Sequence, residues 1–209
     1  RALYHKVMSG ARNPHEGKVI SIAYALDEEK LEILREWELT EPRVLQSFYD
    51  VADKATRESW QLEKPITYVG FNILGFDIPF MFCRMQHHGI LTSAGFHDPK
   101  WLFRRLFQFS VDLLQVHLPL NDFESRGLSH NALCCAYGLP TKRVQGDVLA
   151  TFYYKEEYQK IEDYIQREFV YPKIFRKILN EGLVGKAKLR SSLKGCLLYT
   201  SDAADEEDS

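Results

Sequence analysis

The order in which the hydrophobic period changes along this chain leaves few folds open. RALYHKVMS (residues 1–9) alternates around Leu3, His5 and Val7, the period of two that sends one face of a strand inward. GARNPHEG is a turn cluster, and KVISIAYAL (18–26) returns to β-branched and aromatic residues. KLEILREWELT (30–40) supplies a third strand, with Leu31, Ile33 and Trp37 among its apolar positions. Strands joined this closely are expected to form an antiparallel meander. The period then lengthens. Glu41-Pro42 puts proline in a first helical turn, where its missing N–H costs nothing, and Val44, Phe48, Val51 and Ala55 follow at helical spacing.

PITYVGF (65–71) is a further strand, apolar enough to be expected centrally with both faces covered. It runs into GFNILGFDIPFMFCRMQ, which breaks at Gly70, Asn72 and Gly75 and restarts as a helix. WLFRRLFQF (101–109) is aromatic and basic, and FSVDLLQV (109–116) reads as another buried strand. LSHNALCCAYGLP is a helix ended by Gly138 and Pro140, and Gly146-Asp147 opens a short one with Asp147 as its cap. Residues 156–179 read as one long helix with Ile161, Ile165 and Phe169 along a stripe. The order predicts an α/β fold of the ribonuclease H type, a mixed sheet in which three antiparallel strands precede further central strands, flanked by helices.

A chain of 209 residues, 45% hydrophobic and 27% charged, suits one domain with a sizeable core. It has no run of eighteen apolar residues, and its N-terminus lacks the charged, apolar and small-residue order of a secretory signal; the expectation is a cytoplasmic protein without membrane association. Cys83, Cys134, Cys135 and Cys196 contain no C-x-x-C pair and are expected as small buried hydrophobes. No G-x-S-x-G, P-loop, H-E-x-x-H or G-x-G-x-x-G motif is present, which removes the usual competing enzyme classes.

Both ends read as cut. The sequence opens at Arg1 directly in an apolar pattern, and CLLYTSDAADE (196–206) resembles, over eleven residues, a translated sequencing-library adapter; an acidic disordered tail has the same composition. The expected organisation is a domain over 1–182, a basic truncated segment over 183–195 carrying Lys186, Lys188, Arg190 and Lys194, and an artefactual tail over 196–209. The tail holds five acids and no Lys or Arg, so without it 27 basic residues face 24 acids, formally +3 instead of −2. That balance permits a local phosphate-binding surface without demanding one.

Asp77 stands at the strand-to-helix break, where two roles meet. It can cap the helix that begins at Ile78-Pro79, or it can be one acid of a metal site, because hydrolysis of phosphodiesters uses paired divalent ions held by carboxylates from several elements. Gly70, Asn72 and Gly75 give the backbone the freedom a substrate-facing break needs.

GFNILGFDIPFMFCR resembles the second motif, N-x-x-x-F-D, of the DEDD-type (DnaQ-like, ribonuclease H-like) 3'-5' exonucleases, especially those related to the proofreading domain of family B DNA polymerases; Asn72, Phe76 and Asp77 match it. GLSHNALCCAYGLPTKRVQGDVLATFY resembles the segment before their last motif, and YIQREFVYPKIFRKIL the third motif, Y-x-x-x-D, with Tyr164 on its tyrosine and Glu168 on its acid. The first motif, F-D-x-E-x-x-G, falls on YHKVMSG, with His5 and Val7 in place of its acids.

The resemblance implies 3'-5' exonuclease activity on single-stranded DNA or RNA ends through a two-metal site of Mg²⁺ or Mn²⁺. Asp77, Tyr164 and Glu168 would be catalytic, Asp77 and Glu168 would hold metal with His5 in support, and Tyr164 would orient the attacking water. Phe71, Asn72 and Phe76 would line the groove, with Arg104, Arg105, Lys142 and Arg143 on phosphates. Further domains or replication and repair partners are compatible with it. Asp112 is near where such folds keep a helper acid, or else sits at a sheet edge, and Asp163 points off the Tyr164 face. Two other readings stay open: a catalytically lapsed relative that binds nucleic acid or a protein partner, and a structural accessory domain.

Overall fold

The computed structural model describes residues 13–26, 30–63, 66–91, 104, 106–141 and 148–184. The expected strand over 1–9, the cap at Asp147, the basic run from Lys186 and the tail lie outside those residues.

Strands β1 (Ser21–Tyr24) and β2 (Glu32–Arg35) pair antiparallel with Ser21 opposite Arg35 and Tyr24 opposite Glu32. β3 (Tyr68–Gly70) and β4 (Ser110–Asp112) form a second pair. The helices are α1 (Glu41–Gln61), α2 (Ile78–His87), α3 (Leu113–His117), α4 (His130–Ala136), α5 (Leu149–Tyr154), α6 (Tyr158–Glu168) and α7 (Tyr171–Glu181). The chain is thus mixed α/β. Among the described residues each sheet has two strands, so the second and third strands of the expected meander pair as read, and a three-stranded ribonuclease H sheet is not shown.

The chain divides into two compact units, made of the described parts of Arg1–Tyr68, Ile73–Ser110 and Val144–Gln166 in the first, and of Val69–Asn72, Val111–Arg143 and Arg167–Ser209 in the second. In the first unit α1 begins with Pro42 in its opening turn and meets α2 and both strands β1 and β2. Cover from two sides widens its buried row to Val44, Leu45, Ala52 and Thr56, while Val51 and Ala55 of the expected stripe are only half-buried. Ile78, Phe80, Met85 and Leu106 complete the same core. Glu41 is buried at the head of α1, where Val19 N–H (2.7 Å), Arg84 Nε–H (2.8 Å) and Arg84 Nη2–H (2.7 Å) donate to its carboxylate. Arg84 Nη1–H also donates to the Pro14 carbonyl at 3.1 Å. Arg35 donates to both oxygens of Glu162, and the Trp37 ring stacks on Tyr158 with centroids 4.8 Å apart, so α6 is held to the strand pair by a charge clamp and an aromatic face.

In the second unit the core gathers Leu113, Leu133, Cys134, Val170 and Ile174. α4 starts where Ser129 Oγ accepts from Ala132 N–H at 3.1 Å, and the chain leaves past it through Gly138 at φ +65°, a left-handed step that glycine takes without a Cβ penalty. His117 is fully buried. Its Nδ1–H donates to the Leu113 carbonyl at 2.6 Å, which leaves Nε2 to accept from the Tyr137 hydroxyl at 2.9 Å.

Three expectations change. FSVDLLQV is a strand only as far as Asp112, because the Asp112 carboxylate accepts from Leu114 N–H at 3.0 Å and turns the next residues into α3. The long helix over 156–179 is two helices, α6 and α7, parted at Phe169 and Val170: Pro172 sits in the first turn of α7, and a proline there removes an N–H that a continuous helix would need. PITYVGF is a short strand with Tyr68 and Val69 half-buried rather than covered on both faces. Cys134 is buried, whereas Cys83 and Cys135 are half-buried, and all three are free thiols. Among the described residues no helix is long and apolar enough to cross a membrane.

Candidate functional site

β3 ends at the buried Gly70, and the chain then makes an unusual exit. Asn72 has φ +59°, the left-handed region that asparagine tolerates better than most residues because its short side chain bonds locally. Its N–H donates to Asp112 Oδ1 at 2.8 Å. Asp112 therefore uses one oxygen twice, on Asn72 N–H and on Leu114 N–H, and is 1% exposed. It is the tie between the end of β3 and the start of α3 within the second unit, at the end of a strand in a two-stranded sheet. Asp112→Ala leaves both amides without that acceptor, at about 1–3 kcal/mol for each buried group left unsatisfied, whereas Asp112→Asn keeps an acceptor oxygen. The expected order of urea midpoints is wild type, then Asn, then Ala; equal midpoints for Asn and Ala would remove the tie.

After Asn72 the backbone winds through a π-helical turn, Ile73–Asp77, and passes directly into α2. Such turns insert an extra residue per loop and recur at functional sites. Asp77 closes the turn with φ −62° and ψ −48°, exposed, and its side chain makes no capping bond. An N-cap needs extended backbone so that the side chain can swing back onto the second or third amide. Because the chain reaches Asp77 already helical, the carboxylate is not committed to the cap. Phe76 beside it is 38% exposed, with its ring 5.4 Å from that of Phe80.

Tyr164 and Glu168 stand one turn apart on α6, Tyr164 buried and Glu168 half-buried at the helix end. Burial restricts the Tyr164 ring. Asp163 accepts from Gln159 Nε2 at 3.0 Å along the same helix. Phe71 is half-buried in the second unit, edge-on to His130 with centroids 6.3 Å apart and ring planes at 89°. The sequence did not single out His130 within the stretch that carries the resemblance, since its contacts to Phe71 and Tyr171 lie on residues distant in the chain.

The candidates divide between the units. Asp77, Phe76, Arg104 and Tyr164 belong to the first, and Phe71, Asn72 and Glu168 to the second. Arg104 is exposed. His5, Arg105, Lys142 and Arg143 lie outside the described residues. Paired Mg²⁺ or Mn²⁺ ions take three or four carboxylates, and among the described residues no group of three or more His, Cys, Asp and Glu side chains is placed to hold a metal. The described donors therefore do not fit a two-metal centre.

A family model described as a predicted 3'-5' exonuclease related to the exonuclease domain of PolB matches residues 13–172, more than half of the chain. The matched span includes Phe71, Asn72, Phe76, Asp77, Tyr164 and Glu168 and begins after His5 and Val7. No curated protein and no solved structure matches the chain.

Proposed function

The chain belongs to the family of predicted 3'-5' exonucleases related to the exonuclease domain of PolB, and from that premise we propose that it is a cytoplasmic nuclease domain of DEDD type that shortens single-stranded DNA or RNA from the 3' end. The observation that carries the reading is Asp77, an exposed carboxylate at a strand-to-helix break, in the matched span, whose side chain makes no capping bond to α2. Phe71 and Phe76 offer aromatic faces to terminal bases, which accept any sequence because every base has a π-face. Arg104, with Arg105, Lys142 and Arg143, takes backbone phosphates, and this contribution weakens as salt rises. The resemblance gives Tyr164 the role of orienting the water that attacks in line, and Asp77 and Glu168 the roles of reacting acids. Mg²⁺ or Mn²⁺ suits such oxygen donors, but two carboxylates do not balance a pair of divalent ions, so hydrolysis calls for acids beyond Asp77 and Glu168.

That shortfall favours a second reading, in which the domain holds a 3' end without cutting it. Valine and histidine where the resembling motif has its first acids point the same way. Labelled single-stranded DNA and RNA, incubated with the protein in Mg²⁺ and in Mn²⁺, separate the two. Metal-dependent shortening from the 3' end, stopped by EDTA, is the expected result. Binding without shortening selects the second reading, and His5→Asp with Val7→Glu is then expected to raise activity. No binding at low salt overturns both and leaves a structural accessory domain.

A further inference from the structure

We infer that His130 is a positioning residue of this site, setting with one imidazole both the Phe71 ring and the Glu168 end of α6; the inference rests on the exonuclease reading above. All the groups concerned belong to the second unit.

His130 is the first residue of α4 and is 4% exposed. Its Nε2 lies 3.1 Å from the Glu168 carbonyl oxygen. A carbonyl only accepts, so Nε2 carries the hydrogen. Nδ1 is then the accepting nitrogen; the Cys134 sulfur, one turn along α4, lies 3.7 Å from it and 3.9 Å from Nε2. The tautomer is thus set by the Glu168 carbonyl. The Glu168 carbonyl also accepts from Val170 N–H at 2.8 Å, so both its lone pairs are used at the point where α6 stops. Helix ends leave their last carbonyls without intrahelical partners. The one on Glu168 is taken by a side chain from another helix, which fixes where α6 ends and hence where the Glu168 side chain starts.

The same ring meets two aromatic neighbours edge to face: Phe71 at 6.3 Å and 89°, and Tyr171, the first residue of α7, at 5.5 Å and 84°. Edge-to-face pairs are oriented contacts, favourable because a ring's positive edge meets a negative face. Rotating the imidazole to find another hydrogen-bond partner would break them. His130 therefore links the aromatic residue assigned to the terminal base with the acid assigned to the reaction. Seating the base on Phe71 and placing Glu168 become one event, which a buried hydrophobe at this position could not accomplish.

Two substitutions in the full chain divide the two contacts. His130→Phe keeps a ring against Phe71 and loses the donor to Glu168; His130→Gln keeps an N–H donor within reach of the carbonyl and loses the ring. Three readouts follow them: affinity for a strand carrying 2-aminopurine at its 3' end, the single-turnover rate of shortening at saturation, and the carbonyl ¹³C resonance of Glu168. His130→Phe is expected to hold affinity within about twofold, slow the rate on the order of tenfold, as supporting contacts to reacting groups typically do, and shift the Glu168 resonance. His130→Gln is expected to weaken affinity by about five- to tenfold with the rate at saturation and the Glu168 resonance near wild type. A residue that only stabilises the fold would lower the melting temperature in both variants and move affinity and rate together. That pattern, or two variants equal to a wild type that binds, overturns the inference and leaves the exonuclease reading standing. Where the wild type binds without cutting, the affinity and the Glu168 resonance carry the same split. A wild type that neither binds nor shortens any strand removes the reading and the inference together.

Discussion

Asp77→Asn is expected to slow 3'-end shortening by about 10²-fold or more, while the melting temperature stays within about 2 °C of wild type. The two halves of that result come from separate features. The carboxylate is exposed, sits at the end of the π-helical turn, and makes no capping bond to α2, so its loss takes no cap from that helix. Surface substitutions of this kind stay within about 0.5 kcal/mol. A working N-cap aspartate would behave otherwise, costing about 0.5–2 kcal/mol on truncation. The rate depends instead on the charge. Asparagine keeps the shape and the acceptor oxygen but not the negative charge, and single groups aimed at the reacting centre are worth about 10²–10³-fold. A variant that melts well below wild type and cuts normally would return Asp77 to the role of helix cap.

The sequence disclosed this residue and hid its conformation. The resemblance to N-x-x-x-F-D marked Asn72, Phe76 and Asp77. Nothing in the spacing signals a π-helical turn, which differs from an ordinary first turn by one inserted residue. The same division runs through the fold. α1 and α4 were legible because their signals are local: Pro42 in an opening turn of the one, and Gly138 past the end of the other. The end of β4 was not, since Val111 and Leu113 have the same apolar character and only the Asp112 bond to Leu114 N–H turns the chain. The parting of α6 from α7 was written in Pro172, yet the apolar stripe through Ile161 and Ile165 carried the reading past it. His130 shows the limit most plainly, because its partners Phe71, Glu168 and Tyr171 come from two stretches distant from it in the chain.

The largest loss of stability is expected at Glu41, whose carboxylate is shared by three elements of the first unit. Arg84 donates to it twice, Val19 N–H once, and His88 Nε2 lies 2.8 Å away. Glu41→Ala leaves the guanidinium of Arg84, 8% exposed at its side chain, without its counter-charge. Breaking such a buried pair from one side costs about 3–5 kcal/mol, or roughly 10 °C in melting temperature for a chain of this size. Replacing both, Glu41→Leu with Arg84→Met, is expected to recover most of it, because the cost lies in the stranded charge more than in the lost attraction.

Acid should reveal the same carboxylate from another side. Burial pushes the Glu41 carboxyl up, but the bonds from Arg84, Val19 and His88 outweigh it and hold the group below its ordinary 4.5. Its folded form therefore binds protons less readily than its unfolded form. The stabilisation is complete above about pH 4.5 and is lost as pH falls through the lowered folded value. His117 acts in the same direction over a higher window. Burial lowers it from 6.5 more than the Leu113 carbonyl bond raises it, so it folds neutral, and its contribution begins to fall away below about pH 6.5. Urea unfolding followed from pH 8 to pH 3 is then expected to show stability falling gently below 6.5 and steeply below 4.5. His117→Gln flattens the upper limb and Glu41→Gln the lower. An upper limb that survives His117→Gln would mean that the buried imidazole is not the group that takes up the first proton.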